Sequence, residues 1–154
     1  MKILLVLLFL NITLSCATKN IRYNHINIIE KYSSNYIIYV DDKKIDFENV
    51  YLDKDNIEYV KIDKQNKTLH IKQLKTIELI EVSRLYIDRV MKTNENHDVN
   101  QLEILVVVNG LPRKKNFLID PKTITSIKIL SKNDIHNMIY GEKSFDGGIV
   151  VVTN

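Results

Sequence analysis

Cys16 is the only cysteine in the chain, and its position makes it the first candidate for chemistry. It closes an apolar run from Ile3 to Leu14, broken only by Asn11 and Thr13. Lys2 is the only charge before Lys19. A nucleophilic sulfur at the end of such a run is placed for covalent modification. One thiol also excludes a disulfide framework and a zinc site built on several cysteines. The other reactive types do not assemble. His25, His70, His97 and His136 lack ligand-like spacing, and metal binding needs convergent ligands with an outer shell. Asp41-Asp42, and Glu78 with Glu81, read as turn chemistry and a solvated face rather than paired catalytic carboxylates. Gly141, Gly147 and Gly148 do not form the spaced loop between strand and helix that cradles phosphate, so they read as turn residues. The serines lack the nucleophile-elbow pattern. Arg113-Lys114-Lys115 is a small basic loop, read as solvation before anionic-lipid contact, and Asn66-Lys67-Thr68 forms a glycosylation sequon. The expectation is a protein that is not an enzyme, with no cofactor and no metal.

The apolar run is shorter than the roughly 18 residues of a spanning helix and fits the core of a secretory signal. Thr13-Leu14-Ser15-Cys16-Ala17 resembles a bacterial lipobox, with Thr13 where leucine is usual and Leu14 one place on. That resemblance implies cleavage after residue 15 and lipid on Cys16. Two acyl chains hold firmly where one is marginal. The alternatives are cleavage after Ala17, which would release a secreted chain, and an N-terminal strand or helix buried in the fold. Ala17-Thr18-Lys19-Asn20 lacks the acidic run associated with surface display, which implies an outer-membrane lipoprotein facing the periplasm.

The 154 residues are 45% apolar and 27% charged, with 4 Gly and 2 Pro. This is globular composition, excluding a disordered tail and low-complexity architecture. The formal charge is only +3 and falls if Lys2 is removed, so there is no electrostatic case for nucleic acid.

Behind Cys16 the residues Thr18 to Ser34 are polar and asparagine-rich with an isoleucine patch at Ile26, Ile28 and Ile29, and read as a tether with one short element. Tyr36 to Val40 reads as a strand turned by Asp41-Asp42. Ile57 to Ile62 and Thr68 to Lys72 read as a hairpin, with Val60, Ile62, Leu69 and Ile71 as core. The order then recurs. Leu102 to Val108 is an apolar strand turned by Asn109-Gly110, Asp120-Pro121 caps a helical turn, and Ser126 to Leu130 is a strand. Leu52-Asp53 with Ile57 matches Ile119-Asp120 with Ile124, which suggests an internal duplication. The second half adds a helix starting at Ser131, with Ile135, Met138 and Ile139 at helical spacing and Gly141 as its stop. Gly147-Gly148 then turn the chain into Ile149 to Val152. Ile77 to Val82 reads as a strand and Ser83 as the cap of a helix from Arg84 to about Lys92, with a single helix through both as the alternative, and Asn94 to Asn100 reads as a linker.

The segment from Leu105 to Asn154, about a third of the chain, resembles the plug domain of TonB-dependent receptors of the Bacteroidetes type. The pieces are Val106-Val107-Val108-Asn109-Gly110, Asp120-Pro121-Lys122-Thr123-Ile124, Ser126 to Lys132, Ile139-Tyr140-Gly141 and Gly147 to Thr153. Asn109 stands where aspartate is usual, and Phe145-Asp146 interrupt the usual small-residue turn. The chain ends where a receptor's barrel would begin, so the expectation is the plug-like module without the transporter.

The predicted organisation is α+β, made of small plug-like sheet-and-short-helix units in two related copies, the second better formed. Residues 1–15 are signal peptide, 16–35 tether, 36–93 a degenerate unit and 101–154 the plug-like domain. The resemblance implies protein–protein recognition in the cell envelope, by strand addition at a sheet edge, with a TonB-dependent receptor, a TonB-like coupler or a second copy as partner. The alternative is a periplasmic module for a small molecule, peptide or glycan, with a pocket lined by Tyr36, Tyr39, Tyr59 or Phe117.

Overall fold

A computed structural model describes residues 18–90, 101–136 and 145–153. The predicted signal segment, Cys16, His97, the predicted linker, the predicted helix positions Met138, Ile139 and Gly141, and the end of the helix predicted to Lys92 lie outside the described residues. The protein is α+β. It divides into two compact units, one of residues up to Glu48 with Lys54–Thr76, the other of Asn49–Asp53 with residues from Ile77 on.

The first unit is built on β1 (Thr18–Ile21), β2 (Ile37–Val40), β3 (Lys43–Ile45), β5 (Ile57–Asp63) and β6 (Thr68–Gln73). Their order is β1-β5-β6-β2-β3, with β2 parallel to β6 and the other pairs antiparallel. β6 shows why it is a sheet with one dry face. Leu69, Ile71 and Gln73 are buried and alternate with half-buried Thr68, His70 and Lys72. Val60, Ile62, Leu69 and Ile71 are all buried, together with Ile38, Val40, Phe47 and Ile28. Asp63 shapes the hairpin turn by accepting the backbone N–H and side-chain amide of Asn66 and the N–H of Gln65, which hold its carboxyl below the ordinary range.

The tether predicted over 16–35 is corrected here. Thr18–Ile21 is β1, paired with β5, and α1 (His25–Ile28) runs into a π-helical turn over Ile29–Ser33. Asn24 caps α1 by accepting the N–H of Asn27 at 2.9 Å. An edge strand needs backbone partners and one inward side chain, so a polar sequence suffices. Ile21 stands opposite Val60, and Ile28 is fully buried.

The second unit holds β8 (Ile104–Val108), β9 (Leu111–Arg113), β11 (Ile124–Leu130) and β12 (Gly147–Thr153) in the order β11-β12-β8-β9. A smaller sheet joins β4 (Val50–Tyr51), β10 (Leu118–Ile119) and β7 (Ile80–Glu81). The 36–93 unit of the sequence reading therefore loses an internal segment and its C-terminal end, and gains β1 and α1 before it. Asn49–Asp53 joins the second unit because Val50 and Tyr51 pair with Leu118 and Ile119, and Ile77 onward belongs there too. The strand predicted over Ile77 to Val82 is only β7, and Ser83 lies inside α2 (Val82–Val90) rather than capping it, its hydroxyl bonded to Glu81.

All five β8 residues are buried. One face packs Ile104, Val106 and Val108 with Val82 and Tyr86 of α2, and the other packs Leu105 and Val107 with Ile135 of α3 (Lys132–His136). Gly147 and Gly148, predicted as a turn, are instead the first residues of β12. Their lack of a side chain serves close approach. A Cβ on Gly147 would strike the ring and hydroxyl of Tyr86, and one on Gly148 would lie 3.0 Å from the Leu105 carbonyl oxygen.

Four strands of the first sheet, β5-β6-β2-β3, repeat in the second as β11-β12-β8-β9, each pair keeping its direction. β5 has a register shift between Ile57 and Tyr59, and β11 has one between Ile124 and Ser126. Both hairpin turns use positive φ, at Asp41 (46°) and Asp42 (64°) and at Asn109 (51°) and Gly110 (78°). In each the first residue reaches across the sheet. Asp41 Oδ1 accepts the Gln73 N–H at 3.1 Å, and Asn109 Oδ1 accepts the Thr153 N–H at 2.9 Å. The asparagine that departs from the plug pattern thus does the work of the aspartate in the other half.

Candidate functional site

Two surfaces could act on a partner: the outer face of the first sheet and the free strand edges. Register lines up Asn20, Lys61, His70, Tyr39 and Lys44 across five strands. Tyr39 stacks on His70 with ring centroids 4.9 Å apart and planes 9° apart, and His70 Nε2 lies 3.2 Å from Thr68 Oγ1. Lys72 pairs with Asp41 at 3.1 Å, and the pair raises the lysine's pKa. Burial opposes ionisation of Asp41, but the bonds from Gln73, Lys72 and Thr76 outweigh it and hold its carboxyl below the usual range. A shallow hollow of about 210 Å³ lies among Thr18, Tyr59, Lys61, Asp63, His70 and Lys72.

The four aromatic residues proposed for a pocket do not converge. Tyr59 lines that hollow and is 42% exposed, Tyr39 is against His70, and Tyr36 packs edge-on against Tyr32. Phe117 is fully buried in the second core, with the Arg113 guanidinium 5.4 Å from its ring centroid. The basic loop is likewise engaged through Lys115, whose Nζ donates to the Leu102 carbonyl. Glu81 is bonded to Ser83, and His25 lies 5.0 Å from the Phe47 ring. Among the described residues no three His, Cys, Asp or Glu side chains gather in a metal-binding group, and no helix is long and apolar enough to cross a membrane.

The edges divide differently. β1 and β3 bound the first sheet, and β11 and β9 bound the second. β11 is seven residues long, against three for β9. Among the described residues no strand pairs with its outer side. In the first sheet the corresponding side of β5 is occupied by β1. Thr125, Ser126 and Lys128 are exposed on β11, while Ile124, Ile127 and Ile129 are half-buried against the core. The end of β11 is firm. Asp134 accepts both the N–H and the hydroxyl of Ser131, which hold its carboxyl below the ordinary range, and Ser131 Oγ accepts the Asp134 N–H. The start is firm as well, because the buried Asp120 accepts the Lys122 N–H at 2.9 Å and donates its own N–H to Tyr51. Sequence reasoning missed this edge because β1 lay in the expected tether, and an open side is visible only beside its closed counterpart.

Comparison of the chain with protein-family models, with curated proteins and with solved structures finds no match.

Proposed function

We propose that the chain is a non-enzymatic cell-envelope lipoprotein, anchored through Cys16 on the periplasmic side of the outer membrane. In this reading it carries a TonB-receptor plug-like module and acts in protein–protein recognition by strand addition. The observation that carries the reading is the β11 edge, which among the described residues no strand covers, on a strand whose counterpart β5 already accepts an added strand. An exposed edge offers a row of unpaired donors and acceptors, and most folds blunt or cover one that long. Backbone bonds would supply affinity and alternate side chains specificity. A receptor of the TonB-dependent class or its coupler is the partner class that the plug resemblance suggests.

The test is a photo-cross-linking residue placed at Ser126 in the anchored chain, with Glu58 on β5 as the control position. An adduct with an envelope protein from Ser126 and none from Glu58 is expected. No adduct from a folded, anchored chain would sink the reading. Mass analysis of the mature N-terminus should find diacylglyceryl-Cys16, and a chain beginning at Thr18 would remove the anchor.

A further inference from the structure

The filled edge of the first sheet specifies what the open edge of the second can hold. Asp41 N–H donates to Ile71 O and Asn109 N–H to Val151 O, both at 3.0 Å. Ile71 and Val151 therefore turn their backbone groups toward β2 and β8. Their antiparallel partners, Val60 and Ile127, must then turn theirs the other way. In the first sheet that direction leads to β1, where Ile21 and Lys19 stand opposite Val60 and Ile62. In the second it leads outward, and by strand alternation Ile129 faces the same way as Ile127. Side chains follow the same contrast. Val60 and Ile62 are 1% and 2% exposed, whereas Ile127 and Ile129 are only half-buried, leaving an apolar shoulder beside the open backbone.

We propose, resting on the reading above, that the β11 edge is an acceptor for an extended polypeptide segment of defined direction and register. The segment runs antiparallel to β11 as β1 does to β5. It places apolar or long aliphatic side chains opposite Ile127 and Ile129, and a neutral polar residue opposite Lys128, as Asn20 stands opposite Lys61. The partner is a protein presenting a short strand of this alternation.

A copy of residues 17–23 appended to the full chain through a Gly/Ser linker of about 16 residues tests the register. Its root-mean-square span is roughly 20–24 Å, matching the length of β11 at about 3.4 Å per residue. Tethering raises the local concentration to the millimolar range, so weak intrinsic pairing is not missed. Amide exchange at Ile127 and Ile129 should slow tenfold or more while Lys128, already turned toward β12, is unchanged. A control copy carrying Lys19→Pro and Ile21→Pro should leave both amides fast. Equal rates in the two versions would overturn the proposal. The Ser126 cross-link separates it from the broader reading. If the amides are protected and the cross-link persists, the partner does not use this edge and the functional reading fails while the acceptor geometry stands. If the amides stay unprotected while the natural chain still cross-links, the register is wrong and the functional reading stands.

Discussion

The two sheets share four strands, their directions, a bulge and a side-chain bond across the turn, yet they treat their outer faces in opposite ways. β5 and β6 are joined by the four residues Lys64 to Lys67, and the outer face keeps Tyr39, His70, Lys61 and Lys72. β11 and β12 are joined by a longer segment that includes α3, and Ile135 lies over Leu105 and Val107. The sequence of each central strand answers to its cover. β8 can be Ile-Leu-Val-Val-Val because both faces are dry, whereas β6 alternates because one is wet. At the edges the two differ by one strand: β1 covers the outer side of β5, whereas among the described residues no strand covers that of β11. The second repeat covers its outer face, and the first covers the outer side of β5.

The sharpest way to break this comparison is a charge on equivalent outer positions. Val107→Lys buries an unpaired ammonium and should cost about 3–5 kcal/mol, enough to unfold the second unit in denaturant titrations followed by amide exchange. Tyr39→Lys, at the matching place on β2, should cost under about 1.5 kcal/mol through lost stacking on His70. Next in size is Gly147→Ala, expected to cost about 1–3 kcal/mol by overpacking against Tyr86. Lys67→Ala at the corresponding residue should be within about 0.5 kcal/mol, read from the same titration.

Opening the closed edge makes the sheets alike. Ile21→Pro removes a β1 donor and should speed amide exchange at Val60 and Ile62 tenfold or more, about 1.4 kcal/mol, leaving Ile127 and Ile129 as they were. Unchanged rates at Val60 would mean that β1 does not protect β5. The smallest effect concerns the turns. Asp41 has a lower pKa folded than unfolded, so its ionised form stabilises above about pH 4 and that contribution is lost as pH falls through the folded value. Asp41→Asn should keep the bond to Gln73, lose the Lys72 pair at a cost of about 0–1 kcal/mol, and flatten the acid limb of the first unit's stability.

Much of the fold was legible because it is locally encoded. Asp41-Asp42 and Asn109-Gly110 announce left-handed turn residues, Asp120-Pro121 announces a capped helical start, and period-two patterns mark β5, β6 and β11. The order of these signals was enough to suggest the repeat. β1 was not legible, because Thr-Lys-Asn-Ile has no strand pattern until β5 supplies backbone partners. Gly147-Gly148 looked like a turn because glycine usually marks one, whereas here Tyr86 and Leu105 require the space. The proposed lipid site rests entirely on the sequence around Cys16.

By itself, then, the sequence determined the longer strands β2, β5, β6, β8, β11 and β12 and the turns that follow β2, β5 and β8. Only the tertiary structure decided that Val50 and Tyr51 pair with Leu118 and Ile119, that β1 covers the outer side of β5, and that among the described residues no strand covers that of β11. Strand pairing joins residues far apart in the chain through backbone groups that every residue carries, so local side-chain pattern cannot say which edge is filled.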